Sequence, residues 1–137
     1  MNNRMGLNPT VRGHWLYGGG DAYQIFRKSQ EIRTPSSIWI TTDERSDTIN
    51  DCFLCVDMSN TGSAEGIGTS NPYWMIDFPA SYNNRSGRFS FADGHVESHK
   101  WLEPYILLPL GQAHNVTHTS ATDQDAQWLQ NHCTYLK

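Results

Sequence analysis

The sequence lacks several features that would place it in a common functional class. Its 137 residues contain no apolar run approaching the length of a membrane helix, and no signal peptide is visible at Met1. Its 10 Lys and Arg residues form no cluster and are outnumbered by 14 Asp and Glu residues, which gives a net charge of −4. Without a positively charged stripe the chain is not expected to bind nucleic acid, and no part of it is expected to enter a membrane.

Cysteine is scarce and odd in number, with Cys52, Cys55 and Cys133. Cys52 and Cys55 have the spacing of a redox or zinc half-site, but no second pair completes a zinc site. The residues around them have the composition of a strand, so the two side chains should face opposite ways, and no helix start is present to activate a thiol. Redox chemistry is therefore not favoured. A disulfide between Cys133 and one of the pair is expected if the chain is exported.

The length predicts a single domain, residues 1–137, because a second hydrophobic core would need more chain. Five Trp, six Tyr and five Phe supply much of the area that a small core must bury. Residues 37–41 and 52–58 are rich in apolar and β-branched side chains and are predicted strands. The sequence therefore predicts an α+β fold, mostly β, with a small antiparallel sheet of about four strands and long loops.

Two C-terminal segments complete this prediction. Residues 122–132 form the predicted helix, with Thr122 as its N-cap and acidic residues in its first turn. Residues 102–110 contain two Pro and are predicted to cross the domain as an extended segment, with Ile106 and Leu107 packed inward.

Residues 88–101, RFSFADGHVESHKW, give the strongest local signal, because Asp93-Gly94 separates two alternating runs. A two-residue type I′ turn there predicts a β-hairpin. The predicted pairs are Ala92 with His95, Phe91 with Val96, and Ser90 with Glu97. One face should then hold Phe89, Phe91 and Val96 in the core, and the other should hold Ser90, His95, Glu97 and His99.

Three side chains on the second face suggest a metal site. His95, Glu97 and His99 project the same way and could ligate zinc or iron. The simpler interpretation is the solvated face of an edge hairpin, since neighbours on one strand converge less readily than ligands from separate elements.

The acidic segment at residues 43–51, DERSDTIND, is the second candidate site. Its carboxylates should repel one another unless a cation or backbone donors compensate. Calcium would suit the oxygens of Asp43, Asp47, Asn50 and Asp51, although the segment lacks the mid-loop Gly of an EF-hand. Alternatively, the Asp and Asn side chains cap turns through the nearby backbone, and the sequence leaves both interpretations open.

The same carboxylates allow an enzyme to be considered. A glycoside hydrolase needs two carboxyl groups across one bond, which Asp43, Glu44, Asp47 or Asp51 could form with Asp93 or Glu97. Trp39, Trp74 and Trp101 could stack on sugar rings, either in such an enzyme or in a carbohydrate-binding module. No Gly-x-Ser-x-Gly motif indicates a serine hydrolase.

Three separated blocks of the sequence also resemble a known family: DERSDTIND, PASYNNRSG followed by FADGHVESHKW, and TDQDAQWLQNHC. They are similar to the prepilin-like, pseudopilin-type proteins of Verrucomicrobia, Lentisphaerae and Planctomycetes. The family pattern has a His, nine residues and then Asp-Gly, and Asn83 occupies the position of that His.

This resemblance implies a non-catalytic structural subunit of a secretion or pilus-type system, located in the periplasm or outside the cell. Its partners would be other pilin-like subunits, and no cofactor would be required. Members of the family begin with a leader and a long apolar helix, which are not seen in this sequence. We therefore expect the chain to be the head domain alone and not to form filaments.

Overall fold

The computed structural model describes residues 1–6, 23–50, 52–58, 73–75, 77–112, 117–119 and 122–137. In chain order, its strands and helix are β1 (Trp39–Thr42), β2 (Tyr73–Met75), β3 (Ser86–Phe91), β4 (Val96–Lys100), β5 (Thr117–Thr119) and α1 (Gln124–Cys133). Short 3₁₀ helices lie at Ser29–Glu31, Pro35–Ser37 and Pro104–Leu107. Within these ranges, every helix is too short or too polar to traverse a bilayer.

The strands form two antiparallel groups. The main sheet has the order β1-β3-β4, and β2 pairs separately with β5. An antiparallel sheet with a short C-terminal helix agrees with the predicted α+β class. The main sheet has three strands among the described residues, rather than the expected four or so.

Residues 52–58 differ from the prediction of a regular strand. They make only isolated bridges, from Leu54 to Asn2 and from Val56 to Met75. The Asp77 carboxylate accepts the Cys55 N–H at 2.5 Å and so replaces the carbonyl of a neighbouring strand. A side-chain acceptor of this kind satisfies the backbone without extending a ladder.

The hairpin at residues 88–101 is present, but its register is one residue away from the prediction. Gly94 has a φ of 95°, and Asp93 does not share this left-handed conformation. The Gly94 N–H donates to the Phe91 carbonyl at 3.0 Å, and the Phe91 N–H donates to the His95 carbonyl at 2.9 Å. This is a three-residue loop with a glycine bulge, rather than a two-residue type I′ turn. The pairs are Ser90 with Val96 and Phe89 with Glu97, in place of those predicted.

The shift in register changes the face on which Val96 lies. A slip of one residue moves every side chain of a strand to the opposite face. Val96 was predicted to join Phe89 and Phe91 in the core, but it lies opposite Ser90. It is 68% exposed, whereas Phe89 is fully buried.

The histidines of the hairpin share a face, as predicted, but not with Ser90. The His95 ring stacks on Phe91 at 4.3 Å, and the His99 ring stacks on Trp128 of α1 at 4.0 Å. Glu97 lies between them on the same side of β4. The histidine face of the hairpin therefore packs towards the helix.

Aromatic side chains fill the space between the sheet and α1. The Phe89 ring makes edge-to-face contacts with Trp39 at 5.7 Å, Trp101 at 5.9 Å and Trp128 at 4.8 Å. Such contacts stabilise a core beyond the area they bury. Gly87 is needed beside them, because a Cβ at this position would lie 2.7 Å from the Trp101 ring.

The two C-terminal segments follow the predictions with small differences. Asp123, rather than Thr122, is the N-cap of α1, and its Oδ1 accepts the Ala126 N–H at 2.8 Å. The segment at residues 102–110 contains the 3₁₀ helix Pro104–Leu107 and is not fully extended. Ile106 is fully buried, as predicted.

Residues 2–4 are buried and cover the β1 edge of the sheet. The Asn2 N–H donates to the Ile40 carbonyl at 2.8 Å. The Asn2 amide group donates to the Trp39 carbonyl at 2.7 Å and to the Cys133 carbonyl at 2.9 Å. A single asparagine thus joins the sheet edge to the end of α1.

Candidate functional site

The acidic segment is organised by a buried arginine. We call the Arg45 junction the group formed by Arg45, Asp47 and the carbonyls of Ile106, Leu108 and Pro109. The guanidinium donates two hydrogen bonds to Asp47, from Nε to Oδ1 at 3.0 Å and from Nη2 to Oδ2 at 2.8 Å. It also donates to the three carbonyls at 3.2, 2.6 and 3.1 Å, so all five of its N–H groups are used. Its side chain is 1% exposed.

Asp47 is held as a carboxylate by this arrangement. Hydrogen bonds from Arg45 lower the pKa of Asp47 to about 2, and the Gly111 N–H adds a further bond at 2.6 Å. A carboxylate that accepts hydrogen bonds at both oxygens and stays ionised down to very low pH is a poor general acid. This geometry indicates that Asp47 holds the fold together rather than taking part in a reaction.

The other polar residues of the segment that the structure describes are in different surroundings from Asp47. Asp43 Oδ1 accepts the Arg88 N–H at 2.9 Å, and Asn50 is exposed. Glu44 pairs through its backbone in an isolated bridge. Asp51, the fourth predicted calcium ligand, lies outside the described residues.

The turn of the hairpin uses its own aspartate. Asp93 Oδ1 accepts the His95 N–H at 3.1 Å and lies 2.6 Å from His95 Nδ1. The hydrogen bond from the His95 N–H lowers the pKa of Asp93, and the bond to the His95 ring lowers it further. The aspartate stabilises the turn locally, as Asx turns do.

The predicted metal triad is divided between separate partners. His95 contacts Asp93, and His99 Nε2 lies 3.1 Å from Asp125 Oδ1 on α1. The Glu97 carboxylate is 3.9 Å from His95 Nε2. In the described part of the chain, no group of three or more His, Cys, Asp or Glu side chains is placed to hold a metal ion.

A carboxylate cluster that the sequence prediction missed lies at the start of α1. Asp125 is fully buried and accepts the N–H groups of Leu102 and Glu103, both at 2.8 Å. Burial alone would raise its pKa, but the bonds from His99 and the two N–H groups outweigh burial and lower it. Its neighbour Asp123 caps the helix.

The pKa of Asp123 shifts in the opposite direction to that of Asp125. Burial raises the pKa of Asp123, even though its Oδ2 accepts the Tyr105 hydroxyl at 2.5 Å. Burial and the nearby carboxylate also raise the pKa of Tyr105. An Asp-x-Asp pair at the start of the predicted helix was the available signal, but it indicated only favourable charges at the helix N-terminus and not contact with residues 102–105.

Asp43 and Asp93, two of the carboxylates named for a hydrolase, accept backbone N–H groups at different points along the hairpin. Asp43 is anchored at Arg88, whereas Asp93 lies beyond Phe91, about 10 Å further along the strand. Inverting and retaining glycosidases hold their two carboxyl groups roughly 5 to 9.5 Å apart with substrate between them. The backbone partners of Asp43 and Asp93 do not by themselves place the two carboxyl groups across such a gap.

The tryptophans proposed to stack on sugars are unsuited to that role where the structure describes them. Trp39 and Trp101 are fully buried, and Trp101 Nε1 donates to the Ala80 carbonyl at 2.9 Å. The Trp74 side chain lies outside the described residues. A sugar needs an exposed ring face, which neither buried tryptophan offers.

The three cysteines are not joined by disulfides to one another and lie in different environments. Cys52 is exposed, whereas Cys55 and Cys133 are buried on either side of the Asn3 amide, each with a sulfur 3.5 Å from it. Burial raises the pKa of both buried thiols, to about 12 for Cys133. Such thiols are poor nucleophiles because little thiolate is present.

Comparison with protein-family models, with curated proteins and with solved structures returned no match.

Proposed function

We propose that this chain is the head domain of a pilin- or pseudopilin-like structural subunit, without catalytic activity, that works in the periplasm or outside the cell. Its partners are then other pilin-like subunits. One observation carries the non-catalytic part of the proposal. Carboxylates that could do chemistry are occupied by donors from the domain itself, with Asp47 on Arg45 and Gly111, and Asp125 on Leu102 and Glu103.

The subunit role itself rests on the sequence resemblance in three blocks, and the fold is compatible with it. The first block contributes Arg45 and Asp47 to the Arg45 junction, and the second contributes most of the hairpin. The third contains α1 and the Asp123–Asp125 cluster. Each block supplies contacts that hold the domain together, which is the role expected of a rigid subunit head.

Thermal melts and activity assays on the same variants test the proposal. Asp47→Ala should lower the melting temperature and leave no activity to lose, because the wild-type chain should turn over none of a panel of nitrophenyl glycosides. Asp93→Asn is the matched control, since its carboxylate serves only an exposed turn. Wild-type turnover that disappears in a normally melting Asp→Asn variant would instead establish a hydrolase.

Calcium binding by the acidic segment is tested by the same melts with and without a chelator. In the described residues the Arg45 guanidinium takes the place that a cation would occupy beside Asp47. We therefore propose that the segment folds without metal. A melting temperature that falls on chelation and recovers with calcium would restore the calcium interpretation for Asp43, Asp47, Asn50 and Asp51.

A further inference from the structure

The two edges of the main sheet are finished differently. On the β1 edge, Asn2 donates to the Ile40 and Trp39 carbonyls and covers the strand. On the other edge, β4 pairs with β3 and, among the described residues, with no further strand. A free edge presents unpaired N–H and C=O groups that can accept another strand.

The register shows which backbone groups of β4 face outward. His95 and Trp101 are hydrogen-bonded towards β3, through the Phe91 and Arg85 backbones. Because alternate residues of an antiparallel strand bond to alternate sides, the N–H and C=O groups of the intervening residues point away from the sheet. These residues are Val96, Ser98 and Lys100.

We propose that β4 is a self-association edge, at which a second copy of this chain pairs antiparallel with its own β4 about a two-fold axis through Ser98. In this register Ser98 faces Ser98 of the second copy, and Val96 faces Lys100. Glu97 then lies beside His99 of the second copy, so an acidic side chain meets an imidazole on each side of the axis.

Like charges disfavour two of the neighbouring registers. A two-fold axis through Glu97 would place the two glutamates together, and one through Lys100 would place the two lysines together. Both arrangements oppose like charges across strands, which destabilises pairing. The Ser98 axis also uses the whole length of β4 and covers Val96, an apolar side chain that is 68% exposed.

The assembly is closed, because the pairing consumes the open edge of each copy and leaves the edges covered by Asn2 outside. It should therefore stop at a dimer with one continuous six-stranded sheet, three strands from each copy. This inference is independent of the proposed structural role, since an enzyme with the same edge would pair in the same way.

Disulfide trapping tests the register directly. In a Cys52→Ser background, which removes the exposed native thiol, Ser98→Cys should form a cross-linked dimer under mild oxidation. Residues paired across the axis have Cα atoms about 5.5 Å apart, within reach of a disulfide. Lys100→Cys is the matched control, because its two copies would lie about 13 Å apart and should stay unlinked.

Sedimentation equilibrium on the full chain, up to millimolar concentration, measures the strength of pairing. Ser98→Pro removes an outward N–H while leaving the bonds to β3 intact, and it should raise the dimer dissociation constant by at least about tenfold. Circular dichroism and a thermal melt establish that this variant is folded.

A charge exchange keeps the test valid if Ser98→Pro fails to fold. Val96→Lys opposes Lys100 of the second copy and should weaken the dimer about tenfold, and adding Lys100→Glu should restore it. A wild-type chain that stays monomeric at millimolar concentration overturns the proposal. So does cross-linking at Lys100→Cys that equals that at Ser98→Cys, because the dimer would then use another surface or register.

Discussion

Two pairs of an acidic and a basic side chain in this domain have the same spacing and different roles. Arg45 and Asp47 are two residues apart, as are Asp93 and His95, and each pair makes a short contact, at 2.8 and 2.6 Å. The first pair is 1% and 15% exposed, and in the second His95 is 41% and Asp93 34% exposed. The comparison shows that partners elsewhere in the fold, rather than the pair itself, decide what such a pair contributes.

The difference lies in what else each pair touches. Arg45 also binds three carbonyls of residues 106–109, more than 60 positions away in the chain, so its loss would affect two segments. The Asp93–His95 contact is made within its own turn and is partly exposed to solvent, where a contact between an acidic and a basic side chain stabilises little. Removing one member of a buried, fully hydrogen-bonded charge pair is costly, because the partners that remain have no other group to bond with.

Removing the buried arginine should have the largest effect on stability. Arg45→Met would leave Asp47 and three carbonyls without their donor, at a cost of roughly 3–5 kcal/mol. We expect the melting temperature to fall by about 10 °C or more. The control is Arg27→Met at an exposed position, which should change the melting temperature by less than about 2 °C. Equal effects of the two substitutions would contradict the importance given to the Arg45 junction.

Asp125 should rank second, because it is fully buried but its donors come from one neighbouring segment. Asp125→Ala would leave the partly buried N–H groups of Leu102 and Glu103 without their acceptor, which should cost about 2–3 kcal/mol in the free energy of unfolding. Urea unfolding measures this change. Glu97→Ala, with an exposed carboxylate, is the control and should be nearly neutral.

The acid sensitivity of the domain should depend on Asp47. The pKa of Asp47 is lowered from 3.8 to about 2 by Arg45, so its contribution to stability is complete above pH 4. As the pH falls towards 2, the folded carboxylate becomes protonated and this contribution, at most about 2 kcal/mol and reduced by its 15% exposure, is lost. Asp47→Asn should be less stable than wild type at pH 6, and the difference should shrink by pH 2. A difference that is constant with pH would argue against an ionic contribution.

The turn of the hairpin should show the smallest effect. Asp93→Asn keeps an acceptor for the His95 N–H and removes only an exposed charge, so the melting temperature should hardly change. Gly94→Ala should cost more than Asp93→Asn, because Gly94 has a φ of 95° that an alanine adopts only with strain. If Asp93→Asn lowers the melting temperature more than Gly94→Ala does, the contact between Asp93 and His95 contributes more to the turn than its exposure suggests.

The parts of the fold that could be predicted are those encoded locally. The strand at residues 37–41, the hairpin and the helix each have a continuous pattern, and each is present with ends shifted by a residue or two. The predicted register of the hairpin was wrong because Asp-Gly suits both a two-residue turn and a three-residue loop with a glycine bulge. That choice decided whether Val96 was a core residue.

The candidate site was less predictable because its decisive contacts are distant in sequence. Nothing near Arg45 shows that residues 106–109 would turn three carbonyls towards it, so the acidic segment suggested a metal where a guanidinium lies. The buried Asp125 was identified only as a favourable charge at a helix start. Its contact with residues 102–103 depends on how α1 packs, which no local pattern specifies.

The burial of Asn2 has a consequence for the order of folding. Its amide joins Trp39, 37 residues away, to Cys133, 131 residues away. A contact of such long sequence separation forms late, since closing the intervening chain costs entropy before any contact compensates for it. On the ribosome, the strand and hairpin patterns can pair as soon as they emerge, but the bond from Asn2 to Cys133 cannot form until the end of α1 has been synthesised. Throughout elongation the cover of the β1 edge therefore lacks its attachment to α1, and a strand edge that is not firmly covered can pair with the wrong strand.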